Sequence, residues 1–217
     1  MPTLRRRLRA GPDREAALAQ YRQRAGIYDL ELALFEPLRE RAIARLALQP
    51  GEVVLDVGCG TGLSLARLRQ GTGAGGRVVG IEQSPEMLAL ARERVRQGHW
   101  RNVSLRCAPV EAARLAGQAD AALFHFTHDI LRRPEALDHV LHHLRPGARV
   151  VATGLKWAGA WTALANLLVL PAALHSVTSL EGLDRPWSRL AERLGPLEVE
   201  TLWLDAVYIA SGRVRGG

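Results

Sequence analysis

The chain has 217 residues, of which 47% are hydrophobic and 24% charged. That balance suits one folded domain with helical additions and argues against a disordered or fibrous protein. The formal net charge of +7 permits attraction to nucleic acid, a membrane surface or a phosphorylated substrate without choosing among them.

Of the 29 basic side chains, Lys156 is the only lysine. Codon bias explains that better than chemistry, because a purely electrostatic patch can use either cation. Two cysteines, Cys59 and Cys107, are too few for a disulfide framework and read as free thiols in a reducing cytoplasm. Met1 to Ala10 is basic, but no apolar stretch follows it, which argues against a signal peptide.

In chain order, residues 13–24 and 30–48 read as helices. Leu30, Leu32, Leu34, Phe35, Leu38, Ile43 and Leu46 make the apolar stripe of the second, and Pro50-Gly51 stops it. The period then changes. Residues 53–57 form a short β-branched strand ending in glycines, 63–70 a helix and 77–81 a second strand. Ser84-Pro85 opens another helix, with serine as cap and proline at its first position. Residues 103–106, 119–126 and 148–153 read as three further strands with helices between them. Strands alternating with helices imply a parallel sheet covered on both faces. Residues 197–204 and 206–210 are nearly contiguous strands, which fits an antiparallel hairpin at the sheet edge.

The segment Leu55-Asp56-Val57-Gly58-Cys59-Gly60-Thr61-Gly62 carries the chemistry. Glycine lets the backbone turn sharply and approach a ligand where a Cβ would collide. The following helix start offers unpaired N–H groups. The spacing is G-x-G-x-G and not the dinucleotide G-x-G-x-x-G, and no Lys-Ser/Thr pair follows, since Leu63 stands there. Asp56 would be unwelcome beside a pyrophosphate but suits a cofactor carrying an ammonium and a sulfonium. Glu82, at the tip of the neighbouring strand, can accept both hydroxyls of a ribose lying across the strand ends.

VLDVGCGTG, then GIEQSPEML, a strand ending FHFTHD, and LRPGARVVATG together resemble the class I S-adenosylmethionine-dependent methyltransferases, over roughly Tyr21 to Thr153. The resemblance implies an α/β fold: a Rossmann-like, seven-stranded, mostly parallel sheet in the order 3-2-1-4-5-7-6, strand 7 antiparallel, with an N-terminal helical lid. The expected organisation is one domain: lid 1–48, cofactor-binding core 52–154, substrate-cover insertion 155–195 and terminal hairpin 196–211. S-adenosylmethionine is the implied cofactor. Asp56, Gly58, Cys59, Gly60 and Gly62 would shape its methionine end, Glu82 would hold the ribose, and Gln83 and Met87 would lie beside the adenine. Where the family usually places an Asp for the adenine amino group, this chain has Pro109, Val110 and Glu111, so either Glu111 or backbone groups read the base. Phe126 is expected at the site, and Tyr21 and Tyr28-Asp29 resemble a tyrosine-containing lid.

Methyl transfer from a sulfonium is an in-line displacement in which alignment supplies most of the acceleration. A general base matters only for a protonated acceptor, and the end of the fourth strand offers His125 and His128. Side chains alternate along a strand, so the two should not share a face unless the chain bends there; His128, nearer the loop, is the favoured base. His139, His142 and His143 have helical spacing, but no further ligand completes a metal site, and a solvated helix face is the better reading. Trp157 to Leu180 contains no Asp, Glu, Lys or Arg. A membrane span is disfavoured because the later hairpin must rejoin the sheet, which leaves a helix buried on the sheet or an apolar cover over the acceptor pocket; its place after the fifth strand favours the cover, with Trp157 and Trp161 facing inward. The expected partner is therefore a small apolar or amphiphilic acceptor. Arg5, Arg6, Arg7 and Arg9 allow peripheral contact with an anionic membrane, as a phospholipid-headgroup or quinone methyltransferase would need. A non-catalytic cofactor-binding regulator is the rival from another class. Nucleic acid is disfavoured: the Asn/Asp-Pro-Pro-Tyr motif common in enzymes for nucleic-acid nitrogens is absent, and aromatics are only 5%.

Overall fold

The computed structural model describes residues 35–159, 166 and 180–216. The expected helix at 13–24, Tyr21, Tyr28, Asp29, the arginines at 5–9, Trp161 and most of the Trp157–Leu180 cover lie outside them.

In chain order the elements are α1 (Glu36–Arg45), β1 (Val53–Val57), α2 (Leu65–Thr72), β2 (Arg77–Glu82), α3 (Pro85–Gln97), β3 (Val103–Cys107), β4 (Ala119–His125), α4 (His128–Leu131), α5 (Pro134–His142), β5 (Leu144–Leu155), α6 (Ser188–Leu194), β6 (Glu198–Leu202) and β7 (Val207–Arg213). They form a seven-stranded sheet in the order β3-β2-β1-β4-β5-β7-β6. Strands β1 to β5 pair in parallel, and β7 runs antiparallel to both β5 and β6. The expected topology holds throughout.

Alternation of side chains divides the sheet into two cores. Val54, Val78, Ala121, Leu123, Val151 and Ile209 face Leu38 and Ala42 of α1 and Leu46 just after it, Leu65 and Leu68 of α2, and Leu88 and Ala91 of α3. Leu55, Val57, Val79, Ile81, Ala122, Phe124, Val150 and Ala152 face Leu131, Leu137 and Val140 of α4 and α5, and Leu190 of α6. By the same period-2 rule, Asp56, Glu82 and His125 belong to the α1 face of the three central strands.

Element ends differ from expectation where backbone geometry intervenes. The strand expected to reach Leu204 stops at Leu202, because Trp203, Leu204 and Asp205 all have positive φ, at 52°, 56° and 67°. β5 extends from Leu144 to Leu155, since Leu144 pairs with Ala119 of β4 and β7 pairs with it from Arg149 to Leu155. The histidine face of α5 is more engaged than a solvated one: the His139 ring contacts the Ala113 carbonyl at 2.9 Å, and the His143 ring contacts the His139 carbonyl at 2.8 Å. His142 is exposed.

Candidate cofactor and active site

β1 is buried from Val54 onward and turns at Gly58, whose φ is +71°. A Cβ there would stand 2.6 Å from the Thr127 methyl and 2.9 Å from Ile130, so only glycine lets the turn pass beneath the β4–α4 loop. The amides of Gly58 and Cys59 both donate to the Ile81 carbonyl, at 2.8 and 2.9 Å, stitching the turn to the end of β2. Gly80 leaves room for Cys59, since a Cβ there would lie 2.9 Å from its Sγ. Glu82 closes the arrangement: its carboxylate accepts from Gly60 N at 3.1 Å and from Ser84 N at 2.8 Å. Ser84 Oγ in turn accepts from Met87 N at 3.2 Å and so caps α3.

These elements surround a pocket lined by Arg39, Asp56, Gly58, Cys59, Gly60, Thr61, Leu63, Ser64, His125 and Phe126. Asp56 is 2% exposed, and its Oδ2 has no hydrogen-bond partner among the described residues. Burial pushes its carboxyl up to about 7; the Arg39 guanidinium opposes that and the Glu82 charge adds to it. Burial also raises Glu82, opposed by the amides that donate to it. Neither acid is comfortable without a cation. Cys59 is a buried free thiol, pushed up by burial and by both carboxylates, and therefore inert; Cys107 is free and exposed.

Sequence reasoning missed Arg39. It is 1% exposed, pairs with Glu36, and lies in the otherwise apolar α1 stripe with Leu38, Ala42 and Ile43. A charge on a buried helical face was the signal available.

The two histidines separate because the chain leaves the strand between them: His125 ends β4, Phe126 turns with φ +56°, and His128 opens α4. His125 lines the pocket, and neither ring nitrogen has a hydrogen-bond partner among the described residues. Burial, helped by Arg39, pushes it down to about 3, so it is neutral. His128, the favoured base in the sequence, is not among the lining residues. Its Nε2 lies 3.0 Å from the Glu181 carbonyl, to which it donates, and burial pushes it down to about 4. Phe126 lines the pocket with φ at +56°, a strained conformation for a bulky residue and one concentrated at functional sites.

Gly62, with φ +86°, stands just behind the lining, where a Cβ would meet Leu65 and Ala91. Gln83 is half-buried and Met87 buried at the start of α3. Ala108 N donates to the Glu82 carbonyl at 3.1 Å, which brings Pro109 and Val110 beside this edge. Glu111 pairs with Arg133 at 3.1 Å, so its carboxylate is already engaged. Among the described residues no cluster of metal-ligating side chains occurs.

The family described as "Methyltransferase domain" matches residues 54–147. A malonyl-[acyl-carrier protein] O-methyltransferase of Serratia marcescens is 28% identical over 66% of this chain and 54% of its own length. An arsenite methyltransferase of Halobacterium salinarum is 31% identical over 48% of this chain and 27% of its own length. The chain thus spans about a quarter to a half of these relatives. The crystal structure of the N-methyltransferase NodS from Bradyrhizobium japonicum in complex with S-adenosyl-L-homocysteine superposes with a TM-score of 0.61 at 18% identity, covering 83% of this chain and 87% of that one. Cβ-intolerant glycines beneath two buried, under-compensated carboxylates fit a cofactor that presents an ammonium and a ribose. Residues 54–147 are a methyltransferase domain, and the seven-stranded sheet has the fold of the S-adenosylmethionine-dependent methyltransferases it superposes with.

Proposed function

We propose that the protein transfers the methyl group of S-adenosylmethionine to a small apolar or amphiphilic acceptor arriving over the carboxyl ends of β4 and β5. The observation that carries the cofactor half is the unpartnered, buried Asp56 Oδ2 beside the glycine turn. Asp56 holds the α-ammonium and Arg39 the α-carboxylate, a charge pair matched to an amino-acid zwitterion. Glu82 accepts from the ribose hydroxyls while keeping Gly60 and Ser84 in place. When bound, the cofactor supplies an electrophilic methyl group on a sulfonium. Holding the acceptor in line with that methyl is the protein's main contribution.

His125 is the pocket histidine that faces the reaction. Because burial, helped by Arg39, keeps it neutral, it does not repel a sulfonium and can accept a hydrogen bond from an acceptor O–H or N–H. Such a weak base orients the acceptor more than it removes a proton. His128 acts as a latch on Glu181 and not as the base.

The acceptor reading is supported by the uncharged Trp157–Leu180 segment, both ends of which are pinned beside the strand ends. Trp157 N donates to the Leu183 carbonyl at 2.7 Å, and Arg132 pairs with Glu181 at 2.6 Å. No helix of the described residues is long and apolar enough to cross a membrane. The test is S-adenosylhomocysteine release with soluble phenols, amines and thiols in one arm and anionic phospholipid vesicles in the other. Turnover is expected with soluble apolar acceptors. Turnover with vesicles alone would move the assignment to lipid modification, and tight cofactor binding without turnover in either arm would favour a regulator.

A further inference from the structure

Lys156 is the only lysine among 29 basic side chains, and it is 6% exposed. Its Nζ donates to the Trp157 carbonyl at 2.8 Å, the Asp205 carbonyl at 3.0 Å and Asp205 Oδ2 at 2.7 Å. Three acceptors converging on one nitrogen suit the compact ammonium, with its three donors; a planar guanidinium fork spreads its N–H groups too widely to serve them. In a chain that otherwise uses arginine, the site selects lysine by geometry.

The pair joins two segments. Asp205 Oδ2 also accepts from Gly159 N at 2.8 Å, and Asn166 grips both backbone groups of Ala158, at 2.7 and 3.2 Å. The first residues of the cover are thereby tied to the β6–β7 turn. That turn holds three successive left-handed residues, Trp203, Leu204 and Asp205, and such strain persists only where surrounding contacts over-determine it. It presents Trp203 and Leu204 at 46% and 72% exposure. Trp203 lies 5.1 Å from Phe35, which lies 4.8 Å edge-on from Phe126 in the pocket. An aromatic wall therefore runs from the cofactor pocket to the surface beside the root of the cover.

We propose that Lys156 and Asp205 are a positioning pair that sets the acceptor entrance, fixing the cover's root against the Trp203 turn so that the Phe126–Phe35–Trp203 wall guides an apolar acceptor inward. The proposal rests on the apolar-acceptor reading above, and two measurements keep the two separable. The first is hydrogen–deuterium exchange of the full chain carrying Lys156→Met, Lys156→Arg or Asp205→Asn. Faster exchange is expected at both 157–159 and 201–206, with the central strands unchanged, and Lys156→Arg should resemble Lys156→Met. The second is binding of 4-ethyl-, 4-butyl- and 4-hexylphenol to protein saturated with S-adenosylhomocysteine. Wild-type affinity should rise about threefold to fourfold per methylene, and the variants should lose about tenfold for 4-hexylphenol while S-adenosylhomocysteine affinity stays within about twofold. Exchange unchanged in the variants, a Lys156→Arg protein that behaves as wild type, or equal losses for cofactor and phenol would overturn the proposal. Wild-type protein that binds none of the phenols would overturn the apolar-acceptor reading, and with it the entrance role.

Discussion

Replacing Asp56 by asparagine is expected to make the empty protein more stable at pH 8 and to cost it the cofactor. Burial holds the carboxyl at about 7 in the folded chain, against roughly 3.9 when unfolded. Between those values the folded state binds more protons than the unfolded state, so stability falls as pH rises through the window and the full penalty remains above it. A shift of that size corresponds to about 4 kcal/mol at most. Asparagine removes the penalty, so thermal unfolding at pH 8 should move up by about 5 °C or more, and at pH 4 the two proteins should unfold within a degree or two. The same change deletes a charge-assisted contact to an ammonium in a water-poor site, worth about 1.5–3 kcal/mol. S-adenosylhomocysteine should therefore bind some ten- to hundredfold more weakly. A variant less stable than wild type at pH 8, or one with unaltered affinity, would show that Asp56 is a packing residue.

Glu82→Gln is expected to have the opposite sign on stability. Its two carboxylate oxygens each accept a backbone amide, from Gly60 and from Ser84. Glutamine offers one carbonyl oxygen, and its amide group then faces a second N–H, donor against donor. One buried amide is left unsatisfied, at a cost of about 1–3 kcal/mol, and Tm should fall by roughly 2–10 °C. Binding separates the two acids further. 5′-Methylthioadenosine keeps the ribose but lacks the amino-acid end, so Glu82→Gln should weaken it at least about tenfold, whereas Asp56→Asn should leave it nearly unchanged. Equal responses of this ligand to both substitutions would remove the division of labour between them.

Much of this was legible in the sequence for physical reasons. β1 and β2 are short β-branched runs bounded by glycines, and the G-x-G-x-G spacing fixes a turn that no residue with a Cβ could make at Gly58. Asp56 and Glu82 were readable because they accompany the glycine turn; an acid at a strand end alone is often merely solvated. Alternation along β4 could not place His128, because the strand ends at His125 and the chain bends at Phe126. Which of the two faces the pocket depends on which face of the sheet α1 covers, and a strand's own pattern does not contain that. Arg39 was hidden for a related reason: Asp56 and His125, which feel its charge, are distant in sequence, and an arginine inside an apolar stripe looks like an interruption until the helix is docked. The lysine at 156 was noticed only as a count. Its three acceptors come from the β6–β7 turn and its own neighbour, a geometry set by the left-handed run at Trp203–Asp205. Trp203 and Leu204 were read as the end of a strand because bulky apolar residues rarely adopt positive φ.

The most direct test of the account is a calorimetric titration of S-adenosylhomocysteine into the full chain at pH 7, in two buffers of different ionisation heat. With Asp56 titrating at about 7 in the empty site, binding of an ammonium should release about half a proton per site. Release should vanish in Asp56→Asn together with most of the affinity. Binding with no proton release and with the same affinity in Asp56→Asn would contradict the assignment of Asp56 as the cofactor's counterion.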